Sequence, residues 1–218
     1  MKIRSWISVI GSLALLGSLA LAQETKPAAK PAPKPLSPAG TAATQVGGKY
    51  VQVQGGQRYQ GGKWIEISYG RPLKRERQTL FGAGADYGKT LNDGAPVWRA
   101  GANQTTRLKT EVPLVFDGKT LPAGDYDVFV DLKEKGWTII FSTWPAQEKY
   151  DRDNKAALWG SSGYTPDKDV LRVPMKLDAL PFSMDQFTIA FIDMTSVDGK
   201  IAMMWDKTLA TVPFKIGS

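Results

Sequence analysis

A chain of 218 residues that contains neither cysteine nor histidine excludes Ser-His-Asp and Cys-His nucleophile systems, and with them zinc or copper sites built on imidazole or thiolate. It also has no disulfide and no thiol to carry a lipid, so the fold must rest on its core alone. The formal charge of +7 overstates its basic character: Lys2 and Arg4 carry two charges, and Lys26, Lys30 and Lys34 against Glu24 carry two more, leaving +3 on the remainder. The densest cationic run, Lys74 to Arg77, is broken by Glu76, so no nucleic-acid partner is expected.

In chain order, Lys2 and Arg4 precede an apolar run from Ile7 to Leu21 that ends in Ala20-Leu21-Ala22, small residues at the two positions a signal peptidase reads. Residues 1–22 read as a secretory signal peptide cut after Ala22. Ile7 to Ala22 is 16 residues long, interrupted by Ser8, Ser12 and Ser18, against roughly 20 for a membrane span. No stable span is therefore expected after cleavage, and the mature protein is expected to be periplasmic or extracellular. In residues 23–47 Pro and Ala mix with Lys and no apolar periodicity is present, which predicts a disordered linker. Composition leaves open whether that linker supplies reach or has no role.

From about Tyr50 the apolar residues recur with period two, as in strands that bury one face. In KWIEISYG, Ile65, Ile67 and Tyr69 alternate with Trp64, Glu66 and Ser68. In DYDVFVDL, Tyr126, Val128, Val130 and Leu132 alternate with Asp125, Asp127, Phe129 and Asp131. The same period continues through Trp137, Ile139 and Phe141, then Leu171 to Leu177, Phe187 to Phe191, Ile201 to Trp205 and Ala210 to Ile216. Asp-Gly-Lys occurs at Asp117 and Asp198, and Asp-Gly accepts the positive φ of tight hairpins. Pro113, Pro174 and Pro213 belong at edges or bulges because they cannot donate to a ladder. No helix is expected after residue 48. The prediction for residues 48–218 is all-β: a single antiparallel β-sandwich, jelly-roll-like, of about nine strands.

Ser142 to Lys168 breaks this rhythm. The segment is long, polar and set with Trp144, Tyr150, Trp159 and Tyr164. Long loops of this kind are often functional, and their aromatics either stack on a ligand or tether the loop to the sandwich. Asp151, Asp153 and Asn154 offer oxygen ligands, but the run lacks the glycine and later ligands of a helix-pair calcium loop and reads as a solvated turn. Neither a metal nor a cofactor is expected.

The run VWRAGANQTT, Val97 to Thr106, sets Trp98 and Arg99 on opposite sides of a strand, followed by Gly101 and a turn-forming Asn103. In YGRP, Pro72 holds Arg71 extended. Two readings stand side by side. Arg71, Arg99 and Asn103, beside Tyr69 and roofed by Trp159 or Tyr164, bind a small anionic or glycan ligand; or each Arg pairs with an internal acid, such as one from DYDVFVD, and pins a loop.

YGRP, WRAGANQTT, LPAGDYDVF followed by GWTIIF, then KDVLRV, FTIAFIDMT and WDKTLATVPF together resemble a bacterial family of exported proteins classed as a domain of unknown function. The match runs roughly from Trp64 to Ile216, and Trp-Arg-x-Gly-Ala-Asn is its specific element. Tyr69, Arg71, Pro72, Trp98, Arg99, Gly101, Ala102, Asn103, Gly124, Tyr126, Asp169 and Arg172 match by position. Glu76-Arg77 stands where the family tends to have Gly-Arg, and TLNDGAP and much of 142–162 read as insertions. The resemblance implies export and a β fold, and it names no activity. The reading is an envelope binding or structural module without catalysis. The alternatives are a hydrolase working through two carboxylates about 5 to 9 Å apart, or a purely structural domain. Oligomeric state is not legible.

Overall fold

The computed structural model of the chain describes residues 36–217; the expected signal peptide and residues 23–35 lie outside the described residues. The described elements are β1 (Ala39–Val46), β2 (Lys49–Val53), β3 (Gly56–Gln60), β4 (Lys63–Gly70), α1 (Lys89–Asn92), β5 (Thr106–Thr110), β6 (Leu114–Phe116), β7 (Lys119–Leu121), β8 (Gly124–Lys133), β9 (Gly136–Ser142), β10 (Asp169–Ile192) and β11 (Asp198–Ile216). Nine strands form one antiparallel sheet in the order β1-β4-β5-β8-β9-β10-β11-β6-β7, and β2 and β3 form a separate hairpin. The sheet is not closed. It folds over on itself as a sandwich, with Tyr69 of β4 bonding Ile189 of β10 across the interior.

β10 and β11 make the fold. The alternation in DVLRVPMKL and in FTIAF suggested separate strands, yet both lie on the 24-residue β10. Its first part, Asp169 to Met175, pairs with β9, and from Lys176 onward it pairs with β11. Register shifts between Ala179 and Thr188 supply the bend that lets one strand serve both layers. In β11 the residues that join the main core change from odd positions (Ile201, Met203, Trp205) to even ones (Ala210, Val212, Phe214). Asp206, at φ 50, sits at the change. Pro174 lies where β10 has β9 on one side only, and Pro213 falls between the parts of β11 that pair with β10 and β6, so neither removes a ladder bond.

Two boundaries differ from expectation. The linker does not extend to residue 47, because β1 pairs along its whole length with β4, from Ala39 opposite Gly70 to Val46 opposite Lys63. AGTAATQV carries little strand propensity of its own, and an available sheet edge decides its state. Helical structure also occurs after residue 48, as the single turn α1 and two 3-10 turns at Gly84–Asp86 and Pro166–Lys168. α1 begins one residue before the TLNDGAP segment that reads as an insertion and runs into it.

The core is aromatic. Trp98 is 1 % exposed, stacks on Trp205 at 6.0 Å and meets Phe187 and Trp137 edge-on. Such pairs add roughly 0.5–1.5 kcal/mol each beyond the area they bury. A second, smaller cluster lies on the other side of the sheet: Phe129, Ile140, Val97, Leu158 and Tyr164, with Trp144 against them. β8 and β9 are thus buried on both faces here, the outer one under the 143–168 loop. Burying a phenylalanine such as Phe129 is worth about 2 kcal/mol.

Candidate ligand-binding site

Trp98 exchanges both backbone hydrogen bonds with Val130, at 2.9 and 2.8 Å. Its indole enters the core and donates to the Gly101 carbonyl; Arg99 consequently leaves on the outer side. Its guanidinium donates to the Asn103 carbonyl at 3.1 Å and to Asp93 at 3.4 Å, and the side chain is only 15 % exposed. Gly160 lies over it. At φ 62 that position favours glycine, and a Cβ there would stand 2.6 Å from the Arg99 Nη1. Arg99 therefore joins three loop segments, and little of it faces solvent.

The other candidates are dispersed. Tyr69 faces the core beside Phe187; its hydroxyl donates to the Ile189 carbonyl and accepts the Ile189 N–H. Arg71 packs across Gly40 and reaches Thr188 at 3.4 Å. Its buried Nε has no partner among the described residues. Asn103, at φ 63, donates its amide to the Ser37 carbonyl. YGRP and Gly-Ala-Asn do meet, backbone against backbone: a methyl group on Gly70 would run into the Ala102 carbonyl. Arg99 and Asn103 are brought together, while Tyr69 and Arg71 belong to the sandwich interior and its rim.

Tyr164 is a tether. It is 5 % exposed, packs on Phe129 at 4.8 Å, donates to Asp169 at 2.6 Å and accepts from Arg172 at 2.9 Å. Burial, and then the bond to Asp169, push its phenol above the ordinary tyrosine value, so it remains a donor at physiological pH. Trp144 is tied down as well, by a bond to the Thr165 carbonyl and by Lys168 over its ring at 3.8 Å.

Beneath the loop runs a polar row that is invisible until register is known: Ser68, Arg107, Asp127, Ser142 and Asp169 face one another across β4, β5, β8, β9 and β10. Asp127 is 3 % exposed, and burial pushes its carboxyl up to about 7 against the opposing pull of Arg107. Arg107 bridges Asp127 at 3.8 Å and Glu148 of the loop at 3.1 Å. Asp169 is held by Arg172 and Tyr164. The loop covers the Asp127, Ser142 and Asp169 part of the row, while Ser68 and Arg107 stay exposed.

One candidate faces outward. The 147–157 stretch is ordered around the Gln147 side chain, whose amide donates to the Asn154 and Ala157 carbonyls and whose oxygen accepts the Asp151 N–H. A parallel bridge between Ala146 and Leu158 closes its neck. That closure brings Tyr150, 59 % exposed, to the half-buried Trp159 at 5.6 Å and 58°. The two rings line a surface pocket of about 330 Å³ with Asp151, Arg152, Asn154 and Lys155. Asp151 and Asn154 each accept one local backbone N–H, the solvated-turn arrangement. Among the described residues no three acidic groups converge on one point. The sequence marks both rings as aromatics of the long segment but sets only Trp159 beside the Arg and Asn candidates, because the neck that pairs the two rings is a tertiary feature.

No helix among the described residues is long and apolar enough to cross a membrane. No curated protein and no solved structure matches the chain. The model of the family described as "Protein of unknown function (DUF2911)" matches residues 52–214, which runs from β2 into β11 and takes in the sheet apart from β1, together with the Arg99 junction and the covering loop. With three quarters of its length inside that match, the chain belongs to this family of unknown function.

Proposed function

We propose that the protein is an exported, non-enzymatic binding module of the cell envelope that takes a glycan in the Tyr150–Trp159 pocket. The observation that carries the reading is the pairing of an exposed and a half-buried aromatic ring over a concave, polar-rimmed surface. The electron-rich faces of such rings favour the C–H face of a sugar ring. The Arg152 guanidinium, which has no protein partner among the described residues, and Asn154 supply planar donors for ring hydroxyls. A rigid frame with its binding groups on a loop is the usual division of labour.

The hydrolase alternative has two acids in one row, Asp127 and Asp169, with Asp127 desolvated. The Asp127 side chain is 3 % exposed and that of Asp169 8 %, and Asp169 is already engaged by Tyr164 and Arg172, so neither is presented to a substrate as a free carboxylate. Tryptophan fluorescence of the whole protein, titrated with a panel of soluble wall and storage oligosaccharides, tests the glycan reading. At least one oligosaccharide should give a saturable change that Trp159→Ala and Tyr150→Ala each weaken tenfold or more, with melting points within about 2 °C of the parent. A flat response across the panel, or unaltered affinity in both variants, sinks the reading.

A further inference from the structure

The run LKRER makes a tight turn after β4. Its residues Leu73, Lys74, Arg75 and Arg77, with Pro72, Ser37 and Leu36, line a pocket of about 390 Å³ that has three cations and no carboxylate in its wall. Lys74 is paired with Asp206 at 2.6 Å. Arg77 is fixed in advance of any ligand: Nη2 donates to the Leu73 carbonyl at 2.6 Å, Nε donates to the Lys74 carbonyl at 3.1 Å, and the guanidinium lies over Trp205 at 5.1 Å. Among the described residues neither Arg75 nor Arg77 has an acid within ion-pair distance.

Arg75 is the telling residue. Its φ is 53, and the other non-glycine residues in the left-handed region are Asp, Asn and Ala, so Arg75 is the one long side chain held there. L-residues with a Cβ are strained in that conformation, and a glycine would be relaxed. Asp185 accepts the Arg75 backbone N–H at 2.9 Å, which holds the turn but leaves the guanidinium free. Strain kept at a charged side chain with no protein partner points to a ligand. Guanidinium forks match tetrahedral oxyanions through paired hydrogen bonds, with the neighbouring ammonium as an added point charge.

We propose that this pocket binds a phosphoryl group, held by Arg75 and Arg77 with Lys74 at its side. The site is separate from the glycan pocket and does not depend on it. Two sources carry this chemistry, a soluble phosphate compound and a phospholipid headgroup. The test has two arms on the whole protein: thermal melts with inorganic phosphate against chloride at matched ionic strength, and co-sedimentation with phosphatidylglycerol vesicles against phosphatidylcholine vesicles. A rise of roughly 5 °C at a hundredfold excess over the dissociation constant assigns a soluble source, and selective sedimentation assigns a headgroup. In either case Arg75→Gly should weaken the response tenfold or more while its own melting point stays at or above that of the parent, because the strain is relieved. No response in both arms, or an Arg75→Gly protein that responds like the parent, overturns the proposal.

Discussion

β8 and β9 are buried on both faces, and the two faces are buried by different means. On the inner face Val128, Val130, Trp137, Ile139 and Phe141 meet side chains from other strands. Apolar burial of that kind is non-directional and needs only volume and pattern. On the outer face Phe129 and Ile140 are fully covered as well, but by chain without regular strands, held down by specific polar bonds. Thr105 donates to Gly160, Ser142 to Lys168, and Tyr164 to Asp169. Such a cover brings polar groups under it that require partners, and Asp127 keeps one oxygen without any among the described residues. The inner face therefore sets the fold, while the outer layer is the weaker, separable unit from which a binding loop can be drawn.

The comparison breaks or holds on measurable differences. Trp98→Ala empties the centre of the inner core, at a cost of about 3–5 kcal/mol, and calorimetry should show a fall on the order of 10 °C. Arg99→Ala removes the junction of the outer layer and should cost less, about 1–3 kcal/mol. Hydrogen exchange should rise first in residues 157–163, with the inner strands still protected. Asp93→Ala should cost less than about 0.5 kcal/mol, because Asp93 is 80 % exposed. If Arg99→Ala loosened all strands together, the two layers would be one cooperative unit and the distinction would fail.

A further effect concerns pH. Because burial raises the Asp127 carboxyl to about 7, above the roughly 3.9 of an unfolded chain, the folded state holds the proton more tightly. Stability on this account falls as pH rises from about 4 to about 7, and the full cost is present above 7. Asp127→Asn should gain roughly 1 kcal/mol at pH 8, discounted for the lost pairing with Arg107, and nothing at pH 4. Melts at the two values give the sign. An equal shift at both would mean that Asp127 does not titrate in this range.

The strands were legible because alternation records a half-buried face directly in residue order. The same alternation had already set Tyr69 beside Ile65 and Ile67 on the core side, and it outweighed the motif that made Tyr69 a ligand candidate. Phe129 and Asp127 alternate with the core residues of their strand, yet both are buried, because residues 143–168 supply a cover that no local pattern encodes. The Tyr150–Trp159 pocket was half legible: both aromatics stand out on a long loop, whereas their pairing comes only through the Ala146–Leu158 neck.

By itself the sequence determined the all-β class, the inward residues of most strands and the family, since these are written in period-two patterning and short motifs. Only the tertiary structure decided that AGTAATQV is a strand, that β10 spans both layers, that Arg99 pins loops and that Asp127 is desolvated. Each of those outcomes depends on a partner distant in the chain, and hydrogen-bond satisfaction and desolvation are properties of the pair rather than of either residue.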